Sequence, residues 1–373
     1  MKVLYVVDGQ GGGAVTHILE LAGGLRKEGI GAEILFFSDG PSPAEAARRG
    51  IPSHRIVKRE WGMMVFLWRL IRHVRRGGYD LLHSHTINGN FFSRIAGRAA
   101  GIPVLTTVHS YIIDEMKGLT HPSMGDRVRY RLDLAMAEWV QGLVAVSPGL
   151  RERLLSHGIP EEKIRVIPNG IDLDRFRPER QEGVDLEKAF GIRPGEAVVA
   201  IVARLVPLKD HATFLAAARR VVDAFPQVKF LVIGDGPLRG ELERKARDLG
   251  IADRTVFAGW RGDVDRILPK IDVGVLCSRT EGHGVAVLEA MACGKPVVGT
   301  DVPEINQTIS AGENGLLVPP GDPEALSGAI TDLLRHPSKR TEMGRKARRH
   351  VEKNYSVEKM VQDYDEFYRE SLA

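Results

Sequence analysis

The chain has 373 residues, 43% apolar and 27% charged, with 52 Lys and Arg against 48 Asp and Glu for a formal charge of +4. That length predicts two domains rather than one core, and no apolar run approaches the ~20 residues of a membrane span. The mildly basic balance permits contact with anionic lipid or a nucleotide sugar without demanding nucleic acid, and Cys277 and Cys293 alone give no disulfide framework, which fits buried thiols in a cytosolic protein.

The N-terminus, MKVLYVVDG, carries a short apolar run with no small-residue cleavage site after it. It reads as a first buried strand over 3–7, not a signal peptide. Gly9-Gln10-Gly11-Gly12-Gly13-Ala14 follows and literally satisfies the G-x-G-x-x-A dinucleotide fingerprint, with Asp39 near the end of the second strand. Strands are expected over 32–37, 81–83, 104–108 and 142–146, and helices over 16–28, 64–75, 90–100 and 126–138. Their β-branched, unalternating strands argue parallel sheets covered on both faces. A seam rich in charge, Gly and Pro spans 172–194. The pattern then restarts with strands over 198–202, 228–233, 254–257, 273–276 and 297–299 and with helices over 212–224 and 240–249. Two doubly wound halves predict a ligand cleft at the carboxyl ends of their strands. The segment 356–372 is amphipathic, with Val357, Met360, Val361, Tyr364, Phe367 and Tyr368 at helical spacing.

The stretch 58–76 combines Trp61, Met63, Met64, Phe66 and Trp68 with a basic flank. It suits either docking on an anionic bilayer or an ordinary helix with Val65, Trp68, Leu70 and Ile71 on the core. The long loop over 111–131 is a reasonable place for acceptor binding.

RTEGHGVAVLEAMACGKPVVGT, over 279–300, is the most informative segment. Glu281-Gly282-His283-Gly284 reads as a loop whose backbone can approach a ligand, glycine having no Cβ. Val285 to Cys293 reads as a short helix stopped by Gly294. Such a helix start offers N–H groups and a positive dipole end to a phosphate or sugar oxygen. Glu289, just over one turn in, can accept hydrogen bonds from paired hydroxyls such as a ribose diol. Arg204 and Lys209, near a strand end and a helix start, make a pyrophosphate clamp of one planar fork and one mobile point charge; a pair of surface cations, one of them bridged to Asp210, is the alternative. His83 and His85 point the same way along a strand, but no Cys or carboxylate at ligand spacing accompanies them as a metal site, and His83 suits a satisfied structural role. His109 ends a strand, where such a domain shows residues to its ligand. Gly234-Asp235-Gly236-Pro237 is a tight turn that can also touch a base or ribose, and Arg261 could lie near the nucleotide base. Cys293 suits the core better than nucleophilic work.

Ordered tags run across nearly the whole chain: the glycine turn 11–13, HSHT at 83–86, TVHS at 107–110, AVSPGL at 145–150, VIPNGID at 166–172, VARLVPLKD at 202–210, VIGDGP at 232–237, FAGW at 257–260 and the E-x7-E of Glu281 and Glu289. Together they resemble GT-B glycosyltransferases, in particular the retaining family GT4. The resemblance implies two Rossmann-like domains facing across a cleft, 1–171 with 355–373 and 172–354, the C-terminal helix crossing back to the first. It implies transfer of a sugar from a nucleotide diphosphate, UDP favoured and GDP-mannose possible, to a hydroxyl acceptor in envelope glycan, glycolipid or exopolysaccharide synthesis. It places His109 against the donor sugar, Arg204 and Lys209 on the leaving diphosphate, Glu281 on the sugar hydroxyls and Glu289 on the ribose. Gly12 and Gly13, with the backbone of Gly282, His283, Gly284 and Val285, would approach the donor, beside Gly234 and Arg261. It further implies front-face chemistry, with the diphosphate taking the acceptor proton, and no divalent metal. Composition suits a cytoplasmic enzyme, placed at the inner face of the cell membrane if the 58–76 stretch docks there. Val15 stands where many relatives have Glu, and His283 where they often have an apolar residue, so donor choice is not borrowed from them. An NAD-type oxidoreductase using Asp39, and a non-catalytic sugar-nucleotide-binding relative, are the alternatives.

Overall fold

The computed structural model describes residues 1–7, 13–37, 42–109, 131–133, 135–179 and 183–373. They form two compact units, Met1–Gly170 with Val357–Ala373, and Ile171–Ser356.

In the first unit, β1 (Lys2–Val7), β2 (Gly31–Phe36), β3 (Ser53–Arg55), β4 (Leu81–His85), β5 (Val104–Val108), β6 (Gly142–Ala145) and β7 (Ile164–Val166) form a parallel sheet ordered β3-β2-β1-β4-β5-β6-β7. The helices are α1 (Gly13–Lys27), α2 (Ser42–Arg48), α3 (Lys58–Arg76), α4 (Ile87–Ala100) and α5 (Pro148–Ser156). Successive side chains of a strand point to opposite faces, and both faces are covered. Val3, Tyr5 and Val7 share a core with Ile18 and Leu21 of α1 and Val361 and Tyr364 of the C-terminal helix. Leu4 and Val6 share the other with Phe66, Leu70 and Val74 of α3 and Phe92 of α4. This is why the strands read as unbroken apolar runs.

The second unit repeats the plan. Strands β8 (Ala197–Val202), β9 (Val228–Ile233), β10 (Thr255–Gly259), β11 (Val273–Leu276), β12 (Val297–Thr300) and β13 (Gly315–Val318) lie in the order β10-β9-β8-β11-β12-β13. Its helices are α6 (Leu186–Phe190), α7 (His211–Ala224), α8 (Arg239–Asp248), α9 (Val264–Ile267), α10 (Val285–Ala292), α11 (Pro303–Asn306), α12 (Pro323–Arg335) and α13 (Pro337–Asn354); α14 (Val357–Leu372) closes the chain in the first unit. Val198 and Ala200 pack with Leu288 and Met291 of α10, while Val199 and Ile201 pack with Phe214 of α7 and Ile330 of α12.

Several expectations shift. The strand expected over 81–83 runs on to His85. Strands β3, β7 and β13 have three or four residues each, too few to show a period. The helix expected over 126–138 lies largely outside the described residues, and Met136–Trp139 is a 3-10 turn. α3 starts at Lys58, with a break at Gly62, φ 69°. Its core side is Phe66, Leu70 and Val74; Val65 and Trp68, which the packed-helix alternative turns inward, are exposed. The reason is register: residues 66, 70 and 74 share one face at four-residue spacing, and 65 and 68 fall off it.

Candidate active site

In the second unit, β9 lies on one side of β8 and β11 on the other. The loops leaving β8 and β11 therefore part at their carboxyl ends, where open parallel sheets bind ligands. The first loop carries Arg204 and a 3-10 turn, Pro207–Lys209; the second carries Ser278 to Gly284. They meet through Lys209, whose Nζ pairs with Glu281 Oε1. Ser278 Oγ donates to the same oxygen at 2.6 Å. The Glu281 side chain is 9% exposed, so it is no solvated loop carboxylate. Lys209 does not bridge to Asp210. That residue holds a left-handed conformation, φ 45° and ψ 45°, and accepts from Thr213 N–H at 3.3 Å. Arg279 Nε donates to its carboxylate at 3.0 Å. Arg204 is exposed, and among the described residues it forms no ion pair.

The Glu281 loop ends at Gly284, φ 64°, which starts α10 without a side-chain cap. The first-turn N–H groups of such a helix lack intrahelical acceptors, so the loop from buried Gly282 to half-buried Val285 aims a positive dipole end outward. The His283 ring is 3% exposed and packs 5.4 Å from the Tyr355 ring. Glu289 sits just over one turn behind, half-buried. Burial pushes its carboxyl up to about 7, against the opposing pull of Arg175.

Gly234 follows β9 at φ 140°, and a Cβ there would lie 2.0 Å from Ala203 O. Only glycine lets this turn press against the Arg204 loop, where Leu205 N–H donates to Asp235 O at 3.0 Å. Arg261, after β10, is held by Asp263 through two bonds of 2.8 and 2.6 Å and lies over the Phe190 ring at 5.5 Å.

The first unit has the same kind of switch point, between β1 and β4. Gly13 opens α1; Gly12 and Asp39 lie outside the described residues, as do 110–130 of the expected acceptor loop. His85 and His109, at the ends of β4 and β5, come together: His85 Nδ1 and His109 Nε2 are 2.8 Å apart. His17 of α1 sets its ring edge-on to His109 at 4.8 Å. His83 is fully buried, with Nδ1 2.5 Å from Tyr368 Oη and Nε2 2.8 Å from Thr107 Oγ1. Tyr364 Oη meets the same Thr107 hydroxyl at 3.0 Å. Burial first, and neighbouring histidines second, hold His83, His85 and His109 well below the ordinary imidazole range. Thr86, next to His85, keeps φ 68° and ψ 160°. A β-branched residue rarely adopts that conformation, and such strain gathers at functional sites. The ring nitrogens of His17, His85 and His109 lie within 4.8 Å of one another and could hold a metal ion, a grouping that strand spacing alone misses because His17 comes from a helix. The 2.8 Å separation of His85 and His109 suits a direct hydrogen bond better than two ligands on one tetrahedral zinc, roughly 3.3 Å apart.

Sequence reasoning also missed Ser278, Arg279 and Arg175. The first two directly precede the Glu281 loop and were open to inspection there; Arg175 reaches Glu289 only through the fold. Tyr364 and Tyr368 were visible at helical spacing, but as core residues.

Residues 11–175 match the family described as Glycosyltransferase Family 4, and residues 185–350 match Glycosyl transferases group 1. A D-inositol 3-phosphate glycosyltransferase of Acidothermus cellulolyticus is 31% identical over 313 residues, 80% of this chain and 68% of that protein. The UDP-Gal:alpha-D-GlcNAc-diphosphoundecaprenol alpha-1,3-galactosyltransferase of Escherichia coli is 29% identical over 273 residues, 72% and 68% of the two chains. The crystal structure of Anabaena HepE in complex with UDP and glucose superposes with a TM-score of 0.89 at 23% identity, over 99% of this chain and 100% of that one. With two parallel-sheet units of the GT-B kind and family matches over both, the chain belongs to glycosyltransferase family 4 and is a glycosyltransferase.

Proposed function

We propose that the chain is a retaining, metal-independent glycosyltransferase that moves a sugar from a nucleotide diphosphate, preferably UDP, to a hydroxyl of a lipid-linked acceptor in cell-envelope or exopolysaccharide synthesis. The observation that carries this reading is the junction of the β8 and β11 loops, where Lys209, Glu281 and Ser278 meet just ahead of α10, with Arg204 exposed on the same β8 loop and Glu289 one turn into the helix. Departure of a nucleoside diphosphate builds negative charge on its phosphates. Preorganised cations and a helix N-terminus stabilise that charge without rearranging. Arg204 has no competing carboxylate among the described residues, so its full charge is available. Lys209 is shared with Glu281, which lets Glu281 hold sugar hydroxyls while its own charge stays balanced. Glu289 can accept from one ribose hydroxyl as a carboxylate and donate to another when protonated. From the first unit, His109 is assigned to the donor sugar. These cations supply what a divalent metal supplies elsewhere, so none is required. HepE crystallises with UDP and with UDP-glucose, which favours UDP here, and the Escherichia coli relative is named for UDP-Gal and a diphosphoundecaprenol acceptor, which favours UDP and a lipid-linked acceptor.

A membrane-proximal acceptor, met at the inner face of the cell membrane, gains support from α3. Met63, Met64, Val65 and Trp68 are exposed there, Met64 by 78%. Arg72 lies over the Trp68 ring at 5.1 Å. Arg69, Arg72 and Arg76 border a groove of about 660 Å³ with Lys2 and His54. Among the described residues no helix is long and apolar enough to cross a membrane, so docking would be peripheral. The test is product analysis: purified chain, UDP-sugars or GDP-mannose in parallel, and a polyprenyl diphosphate sugar acceptor, with anomeric configuration read by NMR. Retention with UDP release supports the reading; an inverted linkage, or donor use only with GDP-mannose, overturns the corresponding part.

A further inference from the structure

The histidine pair ending β4 and β5 fixes a proton as well as a position. Both rings are neutral near pH 7, because burial holds them well below the ordinary imidazole range. A neutral imidazole has one N–H and one bare nitrogen. Across the 2.8 Å contact between His85 Nδ1 and His109 Nε2, one ring must donate and the other accept. If His85 accepted there, its own proton would sit on Nε2. That atom is buried and has no hydrogen-bond partner among the described residues. A buried N–H without an acceptor is the rarer and costlier defect. If His85 donates, the unpartnered atom is only a bare lone pair. His83 offers no escape, since both its nitrogens are engaged with Tyr368 and Thr107. The other groups packed on the pair are His17 of α1, with its ring 5.7 Å from that of His85, and Tyr5 of β1 at 5.8 Å; neither is a carboxylate that could charge it.

We infer that His85 donates from Nδ1 to His109 Nε2, so that His109 is held as its Nδ1–H tautomer and meets the ligand as a hydrogen-bond donor, not as a base. His85 is then a positioning residue: the hydrogen bond at one nitrogen sets the state of the other. A sugar oxygen accepting from His109 Nδ1–H is the matching ligand group. Removal of the acceptor proton falls to something other than His109. The ligand half of this inference rests on the assignment of His109 to the donor sugar; the tautomer does not.

The test is two-bond 1H–15N correlation on the full chain labelled with 15N-histidine, the His109 signals being identified by their loss in His109→Gln. The expected result is a protonated Nδ1 and a bare Nε2 on His109, unchanged between pH 8 and pH 6. His85→Leu should abolish that preference and lower kcat by roughly tenfold or more with little change in KM. His85→Asn, whose amide N–H can stand in for Nδ1–H, should restore both. A wild-type His109 protonated at Nε2, or a tautomer indifferent to His85→Leu, overturns the inference, and the wild-type spectrum alone decides it if the variants fold poorly. A correct tautomer with full turnover in His109→Gln would keep the His85 role and remove the sugar contact.

Discussion

Glu289→Gln should make the protein more stable while making it a worse nucleotide binder. Burial raises the Glu289 carboxyl from its ordinary 4.5 to about 7, a difference corresponding to roughly 3 kcal/mol. The folded value is the higher one, so the proton favours the fold. The contribution is complete below pH 4.5 and is lost as the pH climbs through about 7. Gln keeps the shape and hydrogen-bonding capacity without the charge. At pH 8 to 9 the variant should gain up to roughly 3 kcal/mol, raising Tm by about 6–12 °C for a unit of this size. At pH 4.5 the two proteins should melt together. Thermal denaturation of both across pH 4.5 to 9 reads the gap, and calorimetry with UDP at pH 8 reads the expected loss of affinity. A Glu289→Gln protein no more stable than wild type at pH 9, or a gap independent of pH, would refute the argument that this carboxylate is held against its solvation preference for the sake of a ligand.

Three further outcomes are expected. In a double-mutant cycle on folding stability, Lys209→Ala and Glu281→Ala should couple by roughly 1–3 kcal/mol, since each is the other's ion-pair partner; additive effects would mean that the contact carries no energy. Turnover should persist in EDTA, and a preparation that stops in chelator and restarts only with Mg²⁺ or Mn²⁺ would contradict the cationic clamp. Wild-type protein should float with anionic liposomes at low salt and lose that binding on Met64→Glu with Trp68→Glu, two apolar side chains exposed by 78% and 56% on α3; no flotation would leave a freely diffusing acceptor as the better reading.

Most of the second unit was legible in the chain because its signals are local. Unbroken apolar runs mark strands buried on both faces, and Gly284 and Gly294 bracket α10 with positive φ. The loops leaving β8 and β11 could be placed by topology alone, since each follows a strand. What was not legible depends on contacts far apart in sequence. Nothing near Lys209 shows that its partner is Glu281 rather than the adjacent Asp210; the left-handed turn at Asp210 decides that. The depth of the His283 ring is set by Tyr355, and the state of His85 by an α-helix, two strands and the last helix of the chain. α3 misled for a different reason: residues 63–68 are an unbroken apolar run, so which of them face the core follows from a register that composition does not reveal.

The most direct test of the donor site is binding of UDP and of uridine to wild type and Arg204→Ala, by calorimetry in EDTA. UDP should bind wild type and uridine far more weakly, because the phosphates carry the interaction. Arg204→Ala should lose affinity for UDP by about 10²-fold, a loss of up to ~3 kcal/mol for a charge-assisted hydrogen bond, while its unliganded Tm stays that of wild type, as expected for an exposed side chain that forms no ion pair among the described residues. Equal UDP affinity in the two proteins would contradict the assignment of the β8 and β11 loops as the diphosphate site.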